Sequence, residues 1–534
     1  MNNSDLIVKC LQQAGVTHGF GIPSGNVLPL IESMRLGGME FVLTAHEGSA
    51  SFAADVMGRM TGKPGFCIAT LGPGATNLAT GVGSAYLDRS PMIAITCNLN
   101  TPQLGRRIQM WIDHHALFAP ITKASFAATH DNVAEIMQKA LTIALTEPMG
   151  PVHIDLPEDV SLAPAKDDVV RPIKIELTPE ETNENNLNNT NALISEAERP
   201  LVVLGSSAMR MQKPELLKAF VEHHEIPFLT STMAKGMIDE DHRLSIGCIE
   251  RGRRQIQRKF IQSADLIIGL GFDTIEVEYE AWIGNTPLLS IDIEDPDIAE
   301  SVNLVGTMTG NITASLEYLL QQKKTQNKWT KEELAAHVSE FNKALRPASK
   351  NFTPHRAIDI VRETVPKNGI ISYDVGAHTH QIASQWKAHD PKTCHVTNGW
   401  SSMGIGLPGA IAAKIARPDL PVICLIGDGC FQMTVGELAT ARRQGLAIPV
   451  VVLDDRWLSL IQIKQEKRQY AQYGSQVEMD HYETPPAHYF GVPAIGVRDE
   501  AGLKEELEKA LKADGPTVIE AVVDASHYLE TVFD

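Results

Sequence analysis

Short, unbroken apolar runs recur along the chain, among them Gly65-Phe66-Cys67-Ile68-Ala69-Thr70, Met92-Ile93-Ala94-Ile95-Thr96, Leu201-Val202-Val203-Leu204, Val422-Ile423-Cys424-Leu425-Ile426 and Val450-Val451-Val452-Leu453. Longer stretches with helical periodicity separate them. A strand that is apolar at every position is buried on both faces, and its alternation with helices is the mark of a parallel sheet covered on both sides. The pattern predicts an α/β protein of three doubly wound parallel-sheet domains, at residues 1–165, 190–325 and 353–534. The first closes with Gly150-Pro151-Val152-His153-Ile154-Asp155-Leu156-Pro157. Ala165 to Asn191 is dense in Asp, Glu, Asn and Pro, and is read as a linker wrapping between domains. The charged stretch Gln321 to Glu333 ends the second block. The first and third blocks each place a Gly-rich turn after an apolar strand, a faint sign of duplication.

Composition agrees with this division. A chain of 534 residues, 43% hydrophobic, is too long for one core and rich enough for several. The formal net charge of −18 argues against non-specific nucleic-acid binding, though a locally positive site for an anionic substrate remains compatible with it. The seven cysteines are scattered without a C-x-x-C pair, which excludes a zinc site of that type and fits reduced thiols in the cytoplasm. Met1 to Leu11 does not have the form of a signal peptide, and no apolar run reaches the roughly 20 residues a membrane span needs.

Chemistry concentrates where strands end. In the third block an apolar strand runs into Gly427-Asp428-Gly429, and a helix beginning near Thr434 carries Glu437. A second strand then ends in Asp454-Asp455. Asp428 and Asp455 are thus one βαβ crossover apart, at the carboxyl ends of parallel strands, where α/β sheets bind ligands. Two carboxylates with a free carbonyl make a hard oxygen site suited to Mg²⁺ shared with phosphates, and the glycines admit a diphosphate to backbone amides at a helix N-terminus. A tight turn with a solvated Asp is the plain alternative for Gly-Asp-Gly alone. In the first block Glu47 stands where the strand Phe41-Val42-Leu43 meets a helix of small residues, and Gly72-Pro73-Gly74-Ala75-Thr76-Asn77 forms another strand-to-helix turn. A carboxylate in a first helical turn also has a structural reading, through the helix dipole.

Together these stretches resemble the thiamine-diphosphate enzymes of the acetohydroxyacid synthase, pyruvate oxidase and 2-keto acid decarboxylase group, over essentially the whole chain. His46-Glu47 with Ala53-Ala54-Asp55 and Thr61-Gly62-Lys63-Pro64, then Gly72 to Asn77, then Gly427-Asp428-Gly429 with Asp455, carry the resemblance. Gly150 to Pro157 and Met403-Gly404-Ile405-Gly406-Leu407-Pro408-Gly409-Ala410 support it. The resemblance implies pyrimidine-binding, central and diphosphate-binding domains in that order. It implies that Glu47 bonds the aminopyrimidine and favours its imino tautomer, that Pro73 and Asn77 line the pyrimidine, that Gly25 belongs to the cofactor-binding set, and that Met403 wedges beneath the cofactor. Gly376, His378, Gly427 and Gly429 then contact the diphosphate; Asp428, Asp455 and the Trp457 carbonyl hold Mg²⁺. Gln109 lies beside the position of an active-site glutamine. The implied assembly is a homodimer or homotetramer whose sites are shared between chains.

Three departures bear on the substrate. The second metal position, Asn in the family, is Asp455 here. The arginines of the synthases' central-domain motif are missing from Gly269-Leu270-Gly271-Phe272-Asp273-Thr274-Ile275-Glu276, and Glu276, Glu278 and Glu280 would repel a flavin they faced, so FAD is not expected. The tryptophan by which synthases select 2-ketobutyrate falls at Lys464. In relatives the segment Ser459 to Gln476 folds over the active site, and its Lys464, Lys467 and Arg468 are candidates to meet a carboxylate or sulfonate, or simply a solvated face. The expected activity is an acetolactate-synthase-like carboligase or lyase acting on a small 2-keto acid. A 2-keto acid decarboxylase, a sulfoacetaldehyde-acetyltransferase-like acyl transfer to phosphate, and an inactive regulatory subunit are the alternatives. Retention of Glu47 with Asp428 argues against the last.

Overall fold

The computed structural model describes residues 1–166, 169–176, 178–277, 280–477 and 485–533. Three sheets follow one another along the chain. The first holds β1 (His18–Gly21), β2 (Glu40–Leu43), β3 (Gly65–Thr70), β4 (Met92–Asn98), β5 (Ala124–Ala127) and β6 (Pro151–Pro157), in the order β2-β1-β3-β4-β6-β5. The second holds β7 (Pro200–Leu204), β8 (Phe228–Thr230), β9 (Ser245–Cys248), β10 (Leu266–Leu270), β11 (Leu288–Asp292) and β12 (Leu304–Thr309), in the order β12-β11-β10-β7-β8-β9. Both are parallel throughout. The third holds β13 (Ile370–Tyr373), β14 (Cys394–His395), β15 (Val422–Gly427), β16 (Pro449–Asp454), β17 (His488–Tyr489), β18 (Val492–Val497) and β19 (Thr517–Val522). Its order is β14-β13-β15-β16-β19-β18-β17, parallel except for the antiparallel β17–β18 edge.

The apolar runs are buried on both faces because successive side chains of a strand point to opposite sides. In β3, Phe66 and Ile68 join one core while Cys67 and Ala69 join the other. In β15, Val422, Cys424 and Ile426 face one core and Ile423 and Leu425 the opposite one. One of these cores is common to the first and third sheets. Helices Glu47–Thr61 and Gly406–Ala416 pack there through Ala50, Ala53, Ala54, Val56, Leu407, Ala410 and Ile411, with the alanines and Gly409 allowing close approach. The seam also carries charge: Arg59, held by Asp55 at 2.6 Å and Asp88 at 3.0 Å, donates to the Val396 carbonyl of the third domain at 2.6 Å. Asp88 in turn accepts from the backbone of Asn398 and Gly399.

Two elements differ from the sequence expectation. The polar run read as linker is partly the helix Glu184–Glu196, capped by Asn183. It buries only Thr190 and Ile194, and covers the β12 edge, where Asn189 reaches the Val305 carbonyl at 3.3 Å. So narrow an apolar stripe leaves little periodicity to detect. The helix after β15 begins at Asp428 itself rather than near Thr434, and a second helix starts at Glu437. The strand's last residue, Gly427, is thus the helix N-cap, and Asp428 occupies the first turn.

Candidate functional site

Every turn singled out in the sequence leaves a strand at its carboxyl end. In the third domain four such segments converge on a cavity of about 360 Å³ lined by Gly376, His378, Met403, Gly427, Asp428, Gly429, Asp455 and Trp457. The His378 ring is seated against two glycines: a Cβ on Gly376 would lie 2.7 Å from it, and one on Gly427 3.0 Å. Its Nε2 is buried without a hydrogen-bond partner in the protein, and burial pushes its pKa down to about 3, so the ring is neutral. The floor is fixed by Asp374, whose buried carboxylate accepts from the backbone N–H groups of Val375, Gly404 and Gly406 at 2.8–2.9 Å and so ties the turn after β13 to the segment that carries Met403.

Asp428 accepts from Gly429 N and Arg456 N, each at 2.7 Å. Arg456 adopts φ +67°, a left-handed conformation that non-glycine residues take at a local cost, and its N–H is thereby engaged by Asp428. Asp455 accepts from Trp457 N at 2.9 Å and Ser459 Oγ at 2.7 Å. Burial raises both carboxyl pKa values, and for Asp428 the neighbouring charge of Asp455 raises it further. Two buried, mutually repelling carboxylates lining one cavity form a donor set that a divalent cation would neutralise. The orphaned imidazole nitrogen, the glycine cradle and this carboxylate pair fit a diphosphate with its metal.

The remaining predicted residues lie on the first sheet. Glu47 opens the helix after β2, half-buried, and its Oε2 accepts from Asn77 Nδ2 at 3.1 Å. Pro73 is the first residue of the helix after β3. Gly72 before it has φ +58°, and a Cβ there would meet the Met110 carbonyl at 2.3 Å, so the loop carrying Gln109 can lie over this turn only above a glycine. Gln109 is exposed, as is Gly25, which opens a short turn beside Asn26. Thr70 Oγ1 donates to the Asn26 side chain at 2.8 Å. These residues gather on one end of the first sheet, but none lines the cavity that contains Asp428. Glu437, to which the sequence assigned no role, anchors the entry to this half: its Oε1 accepts from Ala45 N at 2.9 Å and His46 N at 3.2 Å.

Of the cations after Asp455, Lys464 lines the cavity, its pKa lowered by burial and by nearby Arg251 and Arg468. Lys467 instead donates to the Phe533 carbonyl. Arg251, from the central domain, also lines the cavity and was missed. Its only signal in the sequence is a run of arginines in a helical stretch.

The central sheet reverses its strand order between β7 and β10, the crevice where doubly wound sheets bind ligands. The Glu276 carboxyl occupies it, accepting from Ser206 N at 2.7 Å and Asp273 N at 2.9 Å and sharing a hydrogen bond with Ser231 Oγ. Burial raises its pKa to about 8. The expectation that Glu276 repels by its charge is therefore corrected: near neutrality it is uncharged and fills the crevice. Glu278 and the side chain of Glu280 lie outside the described residues. The sign of the pH effect follows. The unfolded chain ionises this group near pH 4.5, whereas the fold resists ionisation up to about pH 8, so its contribution falls as pH rises across that window. Glu276→Gln can keep both backbone bonds and donate to Ser231. We expect little difference from the parent at pH 4, and at pH 8.5 a variant more stable by on the order of a few kcal/mol in denaturant titrations. A difference that does not change with pH would mean that Glu276 is ionised throughout.

The chain matches three models of thiamine pyrophosphate enzymes: the N-terminal TPP binding domain at residues 1–117, the central domain at 187–319 and the C-terminal TPP binding domain at 374–521. It is 30% identical to a probable acetolactate synthase large subunit of Methanococcus aeolicus, over 100% of this chain and 94% of that one. It is 28% identical to the acetolactate synthase isozyme 1 large subunit of Escherichia coli, over 98% and 94%, and 28% identical to the acetolactate synthase large subunit of Lactococcus lactis, over 99% and 93%.

Proposed function

Since the chain belongs to the family of thiamine pyrophosphate enzymes and is a thiamine-diphosphate-dependent enzyme resembling acetolactate synthases, we propose that it decarboxylates a small 2-keto acid such as pyruvate and transfers the remaining two-carbon unit to a second carbonyl compound. The observation that carries this reading is the convergence of Asp428, Asp455, His378 and Met403 on one cavity at the carboxyl ends of the third sheet. When bound, the cofactor supplies an electron-accepting thiazolium. The chain's own residues bind, orient and protonate. Asp428, Asp455 and the Trp457 carbonyl hold Mg²⁺; Gly376, His378, Gly427 and Gly429 receive the diphosphate; Met403 props the cofactor. Pro73 and Asn77 would line the pyrimidine, Gly25 would add to the cofactor site, Glu47 would hold a proton against the pyrimidine, and Gln109 would reach the substrate.

Because the first-domain residues do not line the cavity of their own chain, a second copy supplies them, and the active unit is a homodimer or a dimer of dimers with shared sites. The filled central crevice supports an enzyme without FAD. Among the described residues no helix is long and apolar enough to cross a membrane. The seven cysteines are free, which supports a cytoplasmic location. We assign the pyrimidine-binding, central and diphosphate-binding domains to about residues 1–165, 190–325 and 353–534, with the helix Glu184–Glu196 leading into the central one.

The test is incubation of the cofactor- and Mg²⁺-loaded chain with a panel of 2-keto acids, with products identified by NMR. Carbon dioxide together with a 2-hydroxy-3-keto acid is the expected outcome. Free aldehyde alone would make the protein a decarboxylase, acetyl phosphate in phosphate buffer an acyltransferase, and no carbon dioxide from any keto acid would overturn the reading. A chelator should remove metal and cofactor together; retention of the cofactor at full affinity without a divalent ion would remove Asp428 and Asp455 from the metal role.

A further inference from the structure

The helix Ser459–Lys467 is built onto the metal candidates. Ser459 Oγ donates to Asp455 at 2.7 Å, and Leu458 N donates to the Ser475 carbonyl at 2.7 Å, so the segment folds back on itself beside the cavity. Gln465 fixes the return limb: its Nε2 donates to the Tyr473 carbonyl and its Oε1 accepts from Ser475 Oγ, both at 2.8 Å. Ile463 packs with Ala377, Tyr528 and Val532. These contacts set the rotation of the helix. Leu460, Ile461 and Lys464, spaced three and four apart on one helical face, line the cavity that contains His378 and Asp428.

The three cations of this segment have different surroundings. Lys467 is bound to the Phe533 carbonyl, and Arg468 is exposed. Lys464 alone of the three lines the cavity. Its ammonium has neither a hydrogen bond nor an ion pair among the described residues. Burial opposes its charge, and so do the like charges of Arg251 and Arg468. The cavity's two acids are engaged elsewhere: Asp428 with Gly429 N and Arg456 N, Asp455 with Trp457 N and Ser459, and both are assigned to the metal. An ammonium opposed by burial and matched by no acid is stabilised by an anion that enters the cavity.

Which anion it serves follows from the chemistry. In the reaction proposed above, one carbon–carbon bond breaks as carbon dioxide leaves the donor. One forms between the two-carbon unit and the carbonyl carbon of the acceptor, whose oxygen takes up a proton. The donor's carboxylate loses its charge as it departs. A cation bonded to it would stabilise the starting state more than the transition state and slow the step. A carboxylate on the acceptor keeps its charge throughout and passes into the product. Resting on that carboligase reading, we infer that Lys464 is a specificity residue that selects the acceptor by binding a carboxylate which the acceptor retains through the reaction.

The test uses the full chain loaded with thiamine diphosphate and Mg²⁺ and its variants Lys464→Met and Lys464→Arg, with thermal midpoints as a check on folding. In the first arm pyruvate is the donor, and pyruvate and isotope-labelled acetaldehyde, its counterpart without the carboxylate, compete as acceptors. NMR reads the ratio of acetolactate to labelled acetoin. The parent should favour acetolactate, and Lys464→Met should lower the ratio by roughly 10–100-fold, the range expected for a lost charged hydrogen bond. Lys464→Arg, which keeps the charge, should restore part of it. A ratio unmoved in Lys464→Met, or both products falling in step, overturns the assignment. The second arm needs no turnover: NMR titration with 2-hydroxy-2-methylpropanoate, an unreactive carboxylate of the acceptor's shape, and with its uncharged amide. The parent should bind the carboxylate more tightly than the amide, and Lys464→Met should bind the carboxylate roughly 10–100-fold more weakly than the parent does. Equal binding of the two probes, or carboxylate affinity unchanged in the variant, overturns the site. Calorimetry of cofactor binding to the stripped chain separates the substrate from the diphosphate: cofactor affinity lost in Lys464→Met with probe affinity unmoved would place the ammonium on the diphosphate and overturn the inference. If no keto acid is turned over, the keto-acid reading fails in the first arm, and the second still decides whether Lys464 binds a carboxylate.

Discussion

Glu47→Gln should yield a folded protein that binds thiamine diphosphate and Mg²⁺ but turns over 2-keto acid about 10²–10⁴-fold more slowly. Retention of the fold follows from what Glu47 touches. Its Oε2 accepts from Asn77, and an amide oxygen can accept the same bond. The loss of a negative charge in the first helical turn costs about 0.3–1 kcal/mol, small against the stability of a domain. Retention of the cofactor follows because the diphosphate and metal are assigned to the third domain, which Glu47 does not enter. The loss of rate follows because an amide cannot hold or release a proton at the atom where the carboxyl does. Exchange of the cofactor's C2 proton, followed by NMR on the loaded protein, should slow in parallel with turnover. If exchange is as fast in the variant as in the parent, Glu47 has no part in the proton transfer. If the variant fails to bind cofactor, its role is structural.

What the chain revealed in advance was what burial writes into it. Strands covered on both faces must be apolar at every position, so β3, β4, β15 and β16 stood out, and with them the turns at their carboxyl ends. The metal candidates were legible because both acids follow directly on such strands. Elements that bury little left little signal: the helix Glu184–Glu196 looked like linker, and the β17–β18 hairpin is a short edge. Contacts between distant segments had none. Nothing local to Glu276 says that its carboxyl lies in a crevice against Ser206 and Ser231, rather than in an acidic surface run. Nothing near Arg251 says that it lines one cavity with Val375 and His380 across a domain boundary. Glu437 resembled any first-turn acid, yet it caps the approach to Glu47 across nearly four hundred residues of sequence. Local pattern encodes exposure; the partner is supplied by topology.

Mixing two inactive variants should restore activity. Asp428→Ala removes one of the two carboxylates assigned to the metal, and with it the diphosphate's anchor, so this chain alone should be nearly inactive. Glu47→Gln alone should be nearly inactive for the reason given above. Within one chain the two positions belong to different halves: Glu47 is half-exposed on the first domain, and the cavity with Asp428 is lined by the third domain and Arg251. If a two-fold dimer brings the first domain of one copy over the third domain of the other, the contact is isologous and creates two equivalent sites. Such an interface, closing a site against water, should bury well above about 2,000 Å². In a mixed dimer the Glu47→Gln chain then offers an intact third domain to the intact Glu47 of its Asp428→Ala partner, and the second site carries both lesions. One site in two is whole, so co-refolded chains, separated by distinct affinity tags so that only mixed dimers are assayed, should recover about half of the parent's activity per dimer, the share set by the two-site symmetry. The metal supplies a second readout: the mixed dimer should bind one cofactor, and the Asp428→Ala homodimer none. Mixed dimers with no activity would place both ends of the site in one chain and remove the shared-site assembly.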